Sequence, residues 1–98
     1  MRIEFLPSAR LDLADMMAHY QKLGGNALAR RMLGQIKSQV EVLADHPEVA
    51  PPYELVPGIR RLVVAKGTYL VFYRVLNCVQ ILHIRQGEHM PAMHEDMA

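Results

Sequence analysis

Residues 58–86 read GIRRLVVAKGTYLVFYRVLNCVQILHIRQ, and three short apolar runs rich in β-branched and aromatic residues lie within them. Such runs predict strands, at 59–64, 69–76 and 78–85, with turns at Lys66-Gly67 and Asn77. Parallel neighbours would need a crossover of about a dozen residues or more, so strands joined this closely form an antiparallel meander. A meander of this size has one face to bury, and the only segments left to cover it lie N-terminal to it.

The same stretch contains no Asp or Glu, yet Arg60, Arg61, Lys66, Arg74 and Arg85 give it five of the chain's eleven Lys and Arg. Alternation in the middle strand separates Tyr69, Val71, Tyr73 and Val75 from Leu70, Phe72 and Arg74. The first set suits packing on helices. The second then faces outward, with Phe72 beside Arg74. The strand at 59–64 leaves two faces open, Arg60, Leu62 and Val64 or Ile59, Arg61 and Val63. His83 and Arg85 share a face if the last strand runs regularly.

The N-terminal half supplies the cover. Ile3 and Phe5 alternate with Glu4, which predicts a short strand over 2–6, ended by Pro7 because proline donates no ladder hydrogen bond. Ser8 stands where an N-cap belongs. Ala9, Leu13, Met16, Met17 and Tyr20 then recur at helical spacing to about residue 23, and Gly24-Gly25 stops the helix. Asn26 is positioned as the next N-cap, ahead of a second amphipathic helix to about residue 45 with Ala29, Met32, Leu33, Ile36, Val40 and Leu43 on one face. So short a link predicts an antiparallel helix hairpin. His46-Pro47 closes it, and a loop over 47–57 with four prolines leads to the sheet. The expected fold is α+β: an N-terminal strand and a two-helix hairpin packed on one face of a small antiparallel sheet that ends in the meander.

With 98 residues, 51% of them hydrophobic, the chain forms one domain over 1–98, able to bury a core without a metal or disulfide. Residues 87–98 are polar and methionine-rich and are expected to form a tail. Cys78 is the single cysteine, so no internal disulfide forms, and its strand setting suits a small buried hydrophobe. Neither a secretory leader nor a membrane-spanning run is visible, and the expected compartment is the cytoplasm. His83, His89 and His94 lack metal-ligand spacing, Asp12 and Asp15 suit the positive end of a helix dipole, and no phosphate loop or nucleophile elbow occurs. No metal, cofactor or catalytic residue is expected. The outward arginines admit three readings: phosphate contacts, pairing with an acidic protein segment, or surface charge that discourages sheet aggregation.

Taken in order, these pieces resemble the ParE/RelE superfamily of bacterial toxins. The resemblance rests on the spacing of Ala9 to Asp15 with Tyr20, on Asn26, and on Leu43-Ala44-Asp45-His46-Pro47. It continues through Pro57-Gly58-Ile59-Arg60-Arg61-Leu62, the strand from Gly67 to Val75, and the final strand to Gly87. It covers nearly the whole chain. It implies a toxin of a type II toxin–antitoxin pair, held inactive by a cognate antitoxin whose C-terminal segment wraps it.

RelE-like members are ribosome-dependent mRNA endonucleases with basic residues on the sheet and tail. ParE-like members inhibit DNA gyrase without that constellation. Leu70 here stands where the RelE-like strand commonly has arginine after the tyrosine. Gln86-Gly87-Glu88-His89 replaces a His-Gly-Arg-Arg ending, and no tyrosine follows Tyr73. The resemblance therefore favours the ParE-like branch, with mRNA cleavage as the alternative enzymatic reading and a weakly active or inactive toxin-fold binding module as a third. The expected contacts with antitoxin or target are Arg60, Arg61, Phe72, Arg74, His83 and Arg85, with His89 as a contact from the tail.

Overall fold

Helical structure runs from Pro7–Val40 (α1), 34 residues that would measure about 51 Å if straight. The molecule's largest dimension is 36 Å. The chain folds back at Gly24 and Gly25, where the helical geometry breaks. Gly25 has φ 81° and ψ −176°, a combination essentially confined to glycine. The two arms, 7–23 and 26–40, run antiparallel: Arg10 and Leu13 share a groove with Lys37, Val40 and Glu41, and Met17 and Gln21 share another with Asn26 and Arg30. The hairpin expected from Gly24-Gly25 is therefore present.

The computed structural model describes residues 1–87; the tail beyond them and His89 lie outside the described residues. Sheet strands are β1 (Ile3–Phe5), β2 (Arg60–Val64), β3 (Tyr69–Val75) and β4 (Val79–Gln86), in spatial order β1-β4-β3-β2. β2, β3 and β4 form the antiparallel meander. β1 adds to β4 in parallel, which makes the sheet mixed where a wholly antiparallel one was expected. The chain crosses over through α1 between the two, so a parallel pairing is sterically available.

Several local details differ from the sequence reading. Pro7 opens α1 rather than merely ending β1, with Leu6 as the N-cap residue and no side-chain cap there. Proline suits the first helical turn because its missing N–H would have no partner anyway. Ser8 thus falls inside the helix. Asn26 Oδ1 accepts from Gln21 Nε2 at 2.8 Å, bridging the hairpin turn rather than capping the second arm. A short helix, α2 (Val42–Asp45), continues after a tightened turn at Glu41. Between β2 and β3, Ala65, Lys66 and Gly67 all take positive φ, at 52°, 55° and 92°.

Both apolar helix stripes meet the sheet as expected. Ala9, Leu13 and Met16 from the first arm and Leu33, Ile36 and Val40 from the second pack on Val71, Tyr73, Val79, Ile81 and Ile84. Burying each large aliphatic side chain contributes about 1.5–3 kcal/mol. Tyr73 is fully buried, and its hydroxyl donates to the carbonyl of Pro47 at 2.8 Å. Tyr69 and Tyr20 join hydroxyls at 2.9 Å. Burial, and then that hydrogen bond, push the Tyr69 pKa well above the ordinary phenol range. Cys78 is buried just before β4, as expected, with its thiol 3.6 Å from Glu4 Oε1.

The ends of the sheet are closed by side chains from the hairpin. β1 opposes only Val79–Ile81, so the later part of β4 lies at an open edge. There the Ile84 N–H donates to Asp12 Oδ2, from the first arm, at 2.9 Å. On the far side, the first amide past β2, Ala65 N–H, donates to Gln39 Oε1 from the second arm at 2.9 Å.

Candidate partner-binding face

The face of the sheet turned away from α1 carries the candidate site. Register fixes its membership: Arg61 opposes Phe72, Val63 opposes Leu70, Phe72 opposes His83, and Leu70 opposes Arg85. A register shift between Phe72 and Tyr73 leaves Leu82 as an extra residue in β4. A bulge of this kind re-aims side chains locally. Here Leu82 and His83 both line the open face, while Ile81 and Ile84 remain in the core.

The proline-rich loop builds one wall. Tyr53 N–H donates to the carbonyl of Ile59, and Arg61 N–H to that of Pro51, so the loop runs along the start of β2. Two tight turns close it, and Gly58, with φ 84°, takes the left-handed conformation the second requires. Tyr53 is thereby set against Phe72, edge to face, with ring centroids 5.0 Å apart. The Arg61 guanidinium lies 5.6 Å from the Tyr53 ring centre, a cation–π contact.

The result is a cleft of about 460 Å³. Phe72 and Leu82 form its floor, Tyr53, Val56 and Ile59 its aliphatic and aromatic wall, and His83 and Arg85 its polar lip. Val63, on the same face at 55% exposure, extends the apolar surface, more than a face made only to stay in water requires.

The residues expected from sequence separate into groups. Arg61, Phe72, His83 and Arg85 come together around the cleft. Arg85 Nη2 stands 3.3 Å from His83 Nδ1, and that imidazole nitrogen lies 3.5 Å from Asp12 Oδ2, so the ring sits between a guanidinium and a carboxylate. Arg74 shares the open face but sits beyond the bulge, where its Nε donates to Gln80 Oε1 at 2.7 Å. Arg60 is on the opposite face. Its Nη1 donates to the carbonyls of Ala50 at 2.6 Å and Glu48 at 3.3 Å, pinning the proline loop beside Tyr73. The two candidate faces of β2 are thus resolved: Arg60, Leu62 and Val64 turn toward the helices.

Tyr53, Val56, Ile59 and Leu82 did not emerge from the sequence. An aromatic inside a proline-rich loop was a visible signal for Tyr53. Nothing in the periodicity marks a bulge at Leu82. Among the described residues no three His, Cys, Asp or Glu side chains gather to hold a metal. No helix among them is long and apolar enough to cross a membrane.

A helix hairpin on one face of a four-stranded mixed sheet, with an apolar, cation-edged opposite face, is an architecture shared with solved structures of the RelE/ParE fold class. The isolated RelE toxin of E. coli shares the fold, with a TM-score of 0.58 over 98% of this chain and 94% of that one, at 15% identity. A chain from the chromosomal ParDE toxin–antitoxin system of P. aeruginosa has a TM-score of 0.81 at 29% identity, over 90% of this chain and 97% of that one. Toxin ParE1 of Caulobacter vibrioides is 32% identical over 77 residues, 78% of each chain. The family model for the ParE toxin of type II toxin–antitoxin systems matches residues 3–91. The chain belongs to the ParE toxin family.

Proposed function

We propose that this toxin acts in the cytoplasm by inhibiting DNA gyrase, and that a cognate antitoxin neutralises it by covering the open sheet face. The observation that carries this reading is the make-up of that face. Its centre is apolar, with Leu70, Phe72 and Leu82, and its cations stand at the margin. Metal-free cleavage of RNA needs several cations and a proton-transfer group converging on one phosphate. Leu70 occupies the position between Val63 and Arg85 where such a cation would be useful. Arg60 is turned away to the proline loop. The arrangement is suited to gripping a protein.

Arg61, Arg74 and Arg85 are the groups proposed to pair with antitoxin carboxylates, because the stretch they occupy has no acid of its own. Charge reversal at Arg74 and Arg85 is expected to weaken antitoxin affinity and flatten its salt dependence; unchanged affinity at low salt overturns the pairing.

The target is tested by adding purified chain to a gyrase supercoiling assay and to a translating extract. Loss of supercoiling with accumulation of cleaved DNA supports the proposal. Site-specific mRNA cuts in the extract, with gyrase unaffected, replace it with the nuclease reading.

A further inference from the structure

The cleft at Tyr53, Ile59, Phe72 and Leu82 is a site in its own right. We propose that it is the anchor pocket for a single bulky apolar side chain, carried on an acidic protein segment whose carboxylates reach Arg61 and Arg85. That this segment belongs to the antitoxin rests on the function proposed above. The pocket's chemistry does not.

Three observations select this occupant. The volume of about 460 Å³ lies within the roughly 300–1,000 Å³ of small-molecule sites, room for one bulky side chain together with part of the backbone that carries it, and too little for a whole helix. The walls and floor are apolar at Val56, Ile59, Phe72 and Leu82, so the interior offers chiefly dispersion contact, with Tyr53, His83 and Arg85 as the lining residues that carry polar groups. The cations stand at the margin, Arg85 lining the cleft and Arg61 against the Tyr53 ring; the ion pair there, at 3.5 Å, is His83 with Asp12, and neither arginine forms one among the described residues. An incoming segment is therefore apolar at its centre and anionic at its flanks, the arrangement of interface hot spots ringed by polar groups.

A nucleic acid strand fits less well, although it too is anionic. Strand-binding proteins offer free aromatic faces on which successive bases stack. Here the Tyr53 and Phe72 rings are inclined at 65° to each other, and the Tyr53 ring carries the Arg61 guanidinium. No pair of parallel free faces remains between them.

The pocket can be read by methyl NMR at Val56, Ile59 and Leu82. Indole-3-propionate joins an aromatic body to one carboxylate, and propionate alone carries the charge without the anchor. Indole-3-propionate is expected to shift the three methyl sets with millimolar affinity, propionate to leave them unmoved, and Phe72→Ala to weaken binding about tenfold. Val56→Asp, on the exposed loop, sets a carboxylate in the pocket wall without touching the core and should abolish the shifts at Ile59 and Leu82. A short Glu-rich helical peptide carrying one Phe should compete with indole-3-propionate, and its Ala counterpart should not. The assignment is overturned if no methyl moves at about 10 mM ligand, or if Phe72→Ala and Val56→Asp both leave the shifts intact. It is overturned equally if the Phe and Ala peptides compete alike, or if oligothymidylate moves the same methyls at lower concentration. Gyrase inhibition is read separately. Its absence with the shifts retained refutes the target and leaves the pocket standing.

Discussion

The two faces of the sheet are built from the same strands and almost the same residue types, yet they do opposite work. On the covered face Val71, Tyr73, Val79 and Ile81 are fully buried, and the tyrosine hydroxyls have protein partners, Tyr73 on Pro47 and Tyr69 on Tyr20. On the open face Leu70, Phe72 and Leu82 are just as apolar but lie only half covered, and the polar groups are arginines reaching toward solvent. Adjacent residues show the contrast most sharply. Arg60 is spent on two loop carbonyls, while Arg61 is held over a ring at the edge of the cleft. Position within a period of two decides whether an arginine holds the molecule together or presents itself to a partner.

Substitutions can break this contrast, beginning with the covered face. Ile36→Ala removes a fully buried side chain between the hairpin and the sheet and should cost about 2–5 kcal/mol in urea unfolding. Phe72→Ala on the open face should cost much less stability but abolish tight antitoxin binding, measured by calorimetry. Similar losses of stability at the two positions would erase the distinction.

Gly25→Ala comes next. The backbone there is one only glycine adopts comfortably, so the substitution should cost about 1–3 kcal/mol although nothing lies within 4 Å of the added methyl. Asp12→Ala leaves the Ile84 amide at the sheet edge without its acceptor. A loss of about 1–2 kcal/mol is expected, together with concentration-dependent association in light scattering.

Alkaline pH acts on the covered face through the tyrosines. The folded-state pKa values of Tyr69 and Tyr73 are raised, in both cases first by burial. The unfolded chain therefore loses these protons first, and binds fewer of them than the folded chain above its phenol pKa of about 10. Stability is complete below that pH and falls as pH rises beyond it. Tyr69→Phe should make the alkaline limb of a denaturation series shallower. The smallest effect is expected at Arg61: Arg61→Gln should change stability by less than about 0.5 kcal/mol and be visible only in partner affinity.

Much of this architecture was legible beforehand because it rests on periodicity and on glycine. The stripes of α1, the break at Gly24-Gly25 and the alternation in β3 are all local patterns with one packing solution. The open face was legible in outline for the same reason. What escaped depended on contacts distant in sequence. The inward turn of Arg60 is set by carbonyls ten and twelve residues away. The parallel place of β1 is set by β4 at the far end of the chain, and the pocket needed both a bulge and a folded loop. Ser8 and Asn26 failed as caps for a simpler reason: proline began one helix, and Gln21 took up the oxygen expected to begin the other.

Asp12 and Gln39 sit on opposite arms of the hairpin, and each occupies an amide at one flank of the sheet. A bare strand edge is indiscriminate, since any extended chain supplies the same backbone groups. At Ile84 and at Ala65 these two side chains take the place a neighbouring strand would otherwise fill. Two single side chains, one from each arm of the hairpin, thus do at the margins of the sheet what a further strand would do at greater length.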